Sequence, residues 1–176
     1  MLVAMAGLPG TGKSAVAEGM SATLGWPVVS VDPLESSILR AGIDSDQPTG
    51  LAAYLVAETI VESVLRSGQC VIVDAVNAVA PAREQWVLLA QRLGYSAVFI
   101  ETVCTDRDLH RRRLEERRRD LAHIAEPSWH AVEQSLDEYA PWSGLAESLP
   151  RLTLDTVAPL PQLVEQAVAF ARTADL

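Results

Sequence analysis

Gly7, Leu8, Pro9, Gly10, Thr11, Gly12, Lys13 and Ser14 form one unbroken run, G-x-x-x-x-G-K-S, that constrains this chain more than any other feature. Its flanks fit it. Residues 1–6 (MLVAMA) are short and apolar, as a buried strand is, and residues 14–24 (SAVAEGMSATL) read as a helix. Strand, glycine loop and helix N-terminus together make a phosphate-binding loop. The glycines let backbone N–H groups approach phosphate oxygens, and the helix N-terminus adds partial positive charge. In that arrangement Lys13 reaches the β- and γ-phosphates of a nucleotide, and Ser14 places its hydroxyl on Mg²⁺. A glycine-rich turn with an incidental lysine is the competing reading, and the flanking strand and helix argue against it. Of the 14 basic residues, Lys13 is the only lysine. A compact ammonium on a flexible stem suits a phosphate cradle better than the planar guanidinium fork.

Apolar β-branched runs recur along the chain at 27–31 (PVVSV), 70–73 (CVIV), 96–102 (SAVFIET) and 151–154 (RLTL). They lack polar alternation, which suits strands covered on both faces. Helical stretches are expected at 33–41, 50–66, 81–93, 107–120, 128–139 and 159–173. Alternation of the two predicts an α/β fold with a mostly parallel sheet. A length of 176 residues predicts a single domain over 1–176, and the polar loop 42–50 is too short to divide it. The net charge of −9 disfavours nonspecific attraction to nucleic acid or acidic membranes. No segment approaches a membrane span and no basic leader precedes the first apolar run, so a cytoplasmic protein is expected. Cys70 and Cys104 lie beside or within strands, without metal-like spacing, and read as buried reduced thiols. No feature of the sequence fixes an oligomeric state.

Ligands of open α/β sheets bind beyond the carboxyl ends of the strands. That rule selects Asp32, Asp74 and Asp155. Asp32 is a candidate base for an attacking hydroxyl, with capping of the next helix as the alternative. Asp74, ending an apolar strand, is a candidate Mg²⁺ carboxylate. Asp155 reads as structural. Residues 107–119 (RDLHRRRLEERRR) carry arginines on every helical face, which predicts an arginine-bearing lid over roughly 105–128. A solvated helix with i,i+4 ion pairs is the alternative there. Arg40 is a candidate contact for an anionic substrate. Trp129, Tyr139 and Trp142 read as packing that anchors the lid, and His110, His123 and His130 as surface or structural residues.

GLPGTGKS, the strand-end Asp32, VDAVN at 73–77 and RLEER at 113–117 together resemble the small P-loop kinases of the AAA-domain group, with its gluconate-kinase-like, zeta-toxin-like and polynucleotide-kinase-like members. The resemblance covers nearly the whole chain. It implies a P-loop NTPase three-layer sandwich with a five-stranded sheet in the order 2-3-1-4-5. It further implies ATP and Mg²⁺ as cofactors, Asp32 as base, Asp74 and Asn77 near metal or acceptor, and Arg113 and Arg117 as lid arginines. The function implied is transfer of the γ-phosphoryl of ATP to a hydroxyl of a small molecule. A 5′-hydroxyl polynucleotide kinase and a nucleotide-binding regulator remain as alternatives. The chain has no evident basic track for a strand, which weighs against nucleic acid.

Overall fold

A computed structural model describes residues 1–117, 121, 124 and 126–174. Its strands are β1 (Leu2–Ala6), β2 (Val28–Ser30), β3 (Val71–Asp74), β4 (Ala97–Val103) and β5 (Arg151–Asp155). The helices are α1 (Lys13–Leu24), α2 (Val31–Arg40), α3 (Thr49–Arg66), α4 (Ala80–Leu93), α5 (Arg107–Glu116), α6 (Trp129–Glu138) and α7 (Leu160–Ala174). All four strand pairs are parallel and the order is β2-β3-β1-β4-β5, so the sheet is wholly parallel.

Strand β1 sits in the middle, and every one of its five residues is buried. Period-two alternation sends its side chains to opposite faces. Leu2 and Ala4 join a core with Ala53, Ala57, Val61 and Leu65 of α3 and Trp86 and Leu89 of α4. Val3 and Met5 join a second core with Val16 and Met20 of α1 and Leu163, Ala167 and Ala171 of α7. The result is three layers, with helices covering both faces. Burial of this kind is worth about 2–3 kcal/mol per large side chain, and truncating one leaves a cavity as well. Helices α1 and α7 approach so closely that a Cβ on Gly19 would lie 2.4 Å from Val164 Cγ2.

The central strands end together, and the loops that follow them form the mouth of the site. Two buried side chains that sequence reading assigned elsewhere, or passed over, shape those loops. Asn77 is fully buried in the left-handed region, at φ 48°. Its Nδ2 donates to Met5 O at 2.7 Å, and its Oδ1 accepts from Trp86 Nε1 at 3.0 Å. Both ends of the amide are therefore used in bracing β1 against the loop after β3. Arg83 is also fully buried. Its guanidinium donates to Asn77 O (2.7 Å), Ala78 O (3.0 Å), Ala140 O (2.8 Å) and Pro141 O (3.1 Å). Tyr139 and Trp142 cover it from their ring faces. Cys70 and Cys104 are free thiols but half-buried, not fully buried: Cys70 lies at the edge of the second core, and Cys104 follows the end of β4.

Candidate functional site

The loop between β1 and α1 depends on its glycines. Gly7, Gly10 and Gly12 take φ of 135°, 84° and 91°, where any side chain strains the backbone. At Gly7 a Cβ would also meet Thr102 O at 2.4 Å. The loop is held from outside. Gly7 N–H donates to Val76 O, Thr11 Oγ1 donates to Leu8 O at 2.7 Å, and the Thr11 and Thr102 hydroxyls lie 2.8 Å apart. Gly12 takes the N-cap position of α1 and offers no side chain to the first-turn N–H groups, so they are open to an anion. Lys13 is buried, with Nζ 3.1 Å from Leu8 O, and its ammonium lies across the loop.

At the next residue, Ser14 Oγ donates to Asp74 Oδ2 at 2.7 Å, and Ser30 Oγ donates to the same oxygen at 3.3 Å. The end of β3 thus meets the start of α1. Among the described residues no group of three His, Cys, Asp or Glu could hold a metal ion. The oxygens of Ser14 and Asp74 nevertheless suit a hard cation of the Mg²⁺ kind, which keeps waters and phosphates in its shell and needs few protein ligands.

A cleft of about 620 Å³ opens over this arrangement, lined by Lys13, Ser14, Asp32, Asp74, Arg113, Arg117 and Thr156. Asp32 lies in the first turn of α2. The N-cap position there belongs to Ser30, so Asp32 is not the cap of that helix. Nearby, Tyr54 Oη accepts from Asn77 N–H at 3.2 Å. Burial pushes the Tyr54 phenol up, and the carboxylates of Asp32, Asp74 and Glu35 push it further. Arg40 does not reach the cleft. It ends α2, exposed, and neither it nor Asn77 lines the cavity.

The arginine-rich segment divides by what each side chain meets. Arg107 pairs with Glu133, and Arg111 with Glu115, both at the surface. Arg113 turns inward and donates to Thr156 Oγ1 and Thr156 O, each at 2.9 Å. Arg117 lines the cleft with Nη1 3.7 Å from Glu126. Arg118, Arg119 and His123 fall outside the described residues. Asp155 accepts from Thr105 Oγ1 and from the N–H groups of Thr105 and Val157, and the first of these bonds is the main cause holding its carboxyl below the usual range. This is the structural task expected of it. Its neighbour Thr156, which sequence reading missed, is the residue that faces the cleft. His110 takes the structural of the two roles expected of it: it is buried, with Nε2 2.8 Å from Pro9 O and its ring edge-on to Trp129. Its spacing of three residues from Arg113 was the available signal that the two share one face of α5.

Comparisons with known proteins agree with this geometry. No curated protein sequence matches the chain. Among solved structures, Chaetomium thermophilum Kti12 in complex with ADP-AlF3 aligns at 19% identity, with 100% of both chains covered and a TM-score of 0.76. A sugar kinase from Janibacter sp. HTCC2649 aligns at 17% identity over 99% of this chain and 95% of its own, with a TM-score of 0.72. A gluconokinase from Sinorhizobium meliloti 1021 aligns at 19% over 98% and 92%, with a TM-score of 0.63. Identities this low carry the fold alone. A family profile described as an AAA domain, AAA_33, matches residues 2–142. With that match over most of its length, and with this strand order, the chain belongs to the AAA-domain family.

Proposed function

We propose that this protein is an ATP-dependent kinase that moves the γ-phosphoryl group to a hydroxyl of a small molecule. The observation that carries the reading is the meeting of Lys13, Ser14, Asp74 and Asp32 in one cleft, with Ser14 and Asp74 in hydrogen-bond contact. The loop N–H groups and Lys13 would cradle the β- and γ-phosphates, and Arg113 and Arg117 would meet charge that builds on the transferring group. Ser14 and Asp74 would hold Mg²⁺, which would neutralise phosphate charge when bound. Asp32 accepts the proton of the acceptor hydroxyl. The acceptor oxygen then bonds to the γ-phosphorus, the bond from that phosphorus to the β,γ-bridging oxygen breaks, and ADP leaves. With ATP as donor, the cytoplasm is the proposed location.

The acceptor side of the cleft favours a neutral or cationic molecule. Within residues 31–66, Asp32 lines the cleft, Glu58 and Glu62 pair with Arg92 at the surface, and the cations are Arg40 and Arg66. Arg40 is exposed outside the cleft and Arg66 pairs with Glu62. An anionic acceptor would lie beside Asp32 and Asp74 with no cation from that segment to offset them. The same charge pattern makes a nucleic-acid acceptor a poor fit.

The full-length likeness to Kti12, a protein not named as a kinase, favours a second reading as a nucleotide-binding regulator. One experiment separates the two. ATP and Mg²⁺ are incubated with pooled neutral, amine-bearing and acidic hydroxyl compounds and with hydroxyl-ended oligonucleotides. Mass spectrometry then reads the gain of one phosphoryl group, for wild type and Asp32→Asn. The kinase reading expects transfer to a small acceptor and its loss in Asp32→Asn while ATP still binds. ATP binding without transfer to any pool would favour the regulator, and equal transfer by both proteins would refute Asp32 as base.

A further inference from the structure

We infer that His110 is a positioning residue: it ties the arginine-bearing helix α5 to the tip of the phosphate loop, and tight nucleotide binding depends on that tie. The inference rests on the nucleotide reading of the loop and extends it to a residue that touches no phosphate.

His110 stands in the first turn of α5, three residues before Arg113 and seven before Arg117. Its ring is 3% exposed. Nε2 lies 2.8 Å from Pro9 O, so it carries the proton and donates to that carbonyl. Pro9 has no N–H, which leaves this carbonyl as its only backbone polar group. The ring also fills the space above the next residue. A Cβ on Gly10 would stand 3.1 Å from His110 Cδ2 and 3.4 Å from Leu114 Cβ. One turn along α5, Leu114 packs with Leu8 and Val132, and Trp129 closes the cluster. Its indole meets the His110 ring edge-on, with centroids 5.2 Å apart.

Two successive turns of α5 are therefore registered on Leu8, Pro9 and Gly10. The next inward side chain along the stripe is Arg113, fixed at its far end by two bonds to Thr156. With the His110 bond at one end and Thr156 at the other, loop tip and guanidinium cannot shift independently. Packing alone would leave the helix free to slide along an apolar contact, whereas the directional bond sets its register.

The test uses the full chain with a fluorescent N-methylanthraniloyl ADP and Mg²⁺, alongside melting temperature without nucleotide. His110→Leu keeps apolar volume and removes the donor. His110→Asn keeps an amide too short to reach Pro9 O. His110→Gln carries an N–H at about the position of Nε2, and Leu114→Ala is the packing control. His110→Leu and His110→Asn should weaken ADP by about ten-fold, the scale of one hydrogen bond, and His110→Gln should recover to within about three-fold of wild type. Leu114→Ala should lower the melting temperature with a smaller loss of affinity. Should one of the Leu and Asn variants not fold, the other carries the comparison with Gln. Wild-type affinity in His110→Leu or His110→Asn overturns the inference. So does a Gln variant as weak as they are, or a Leu114→Ala loss as large as theirs. Failure of the wild type itself to bind ADP overturns the nucleotide reading and this tie with it.

Discussion

Arg83→Met tests whether a buried guanidinium with no carboxylate partner among the described residues holds the site's supporting loops together. Methionine keeps the length and much of the volume and removes every donor. The structure shows four carbonyls that would lose their partner: Asn77 O and Ala78 O on one side, Ala140 O and Pro141 O on the other. Each unsatisfied buried carbonyl costs about 1–3 kcal/mol. Stacking on Tyr139 and Trp142 adds roughly 1–2 kcal/mol for a desolvated cation. Against this, removing the charge relieves its burial penalty of several kcal/mol, and water can reach some of the carbonyls. The net expectation is a loss of about 3–5 kcal/mol, a large share of a typical domain's stability. Urea unfolding followed by circular dichroism, with Arg83→Met and wild type fitted to a common slope, measures it. Because Arg83 does not line the cleft, the folded fraction should bind ADP within about three-fold of wild type. A loss under about 1 kcal/mol would refute the reasoning, since the bonds would then only repay the burial of the charge.

Three further outcomes are expected. Lys13→Ala should fold normally and lose turnover on the order of 10²–10³-fold, which steady-state ATP consumption with an identified acceptor measures; near-normal turnover would remove the loop from catalysis. Arg117→Ala should lower kcat by roughly ten-fold or more while weakening ATP binding by about three-fold, with Arg113→Ala costing less in kcat. Separate titrations of ATP binding and turnover decide this, and a silent pair returns α5 to a solvated helix. Tyr54→Phe concerns alkaline pH. The Tyr54 phenol is raised by burial and then by Asp32, Asp74 and Glu35, so the unfolded chain releases that proton first. Its contribution to stability is full below the ordinary value of about 10 and is lost as pH rises through the higher folded value. Unfolding free energies at about pH 8 and about pH 11 should therefore converge more closely in Tyr54→Phe than in wild type. An unchanged alkaline drop would contradict it.

The strands and the phosphate loop were legible because each rests on local pattern, whereas the strand order came from the family resemblance and not from any local signal. Apolar runs ending in Asp32 and Asp74, and glycines at fixed offsets before Lys13, report their own surroundings. Asn77 was misread because its neighbours in sequence are loop residues, while its partners, Met5 O and Trp86 Nε1, come from β1 and α4. Nothing in a single chain announces that an amide will be consumed by distant elements. Thr156 was missed for a related reason. The rule for strand ends selects the carboxylate, and only the geometry shows that Asp155 binds back onto Thr105 while Thr156 meets Arg113.

The arginines make the same point more sharply. All of them share one chemistry, and periodicity distributes them over the faces of α5 without ranking them. What separates them is the acceptor that tertiary structure brings to each. Arg66, Arg92, Arg107 and Arg111 meet carboxylates at the surface, where ion pairs contribute little. Arg83 meets carbonyls in the core and becomes a bracket. Arg113 meets a hydroxyl and a carbonyl at the cleft, both neutral. Arg113 is held by neutral partners where the phosphate loop opens, with the Asp155 carboxylate acting on it only through space, whereas Arg107 and Arg111 pair directly with carboxylates. Charge that is held in place without a carboxylate in direct contact suits a transferring phosphoryl group, and that condition distinguishes Arg113 from Arg107 and Arg111 of the same helix.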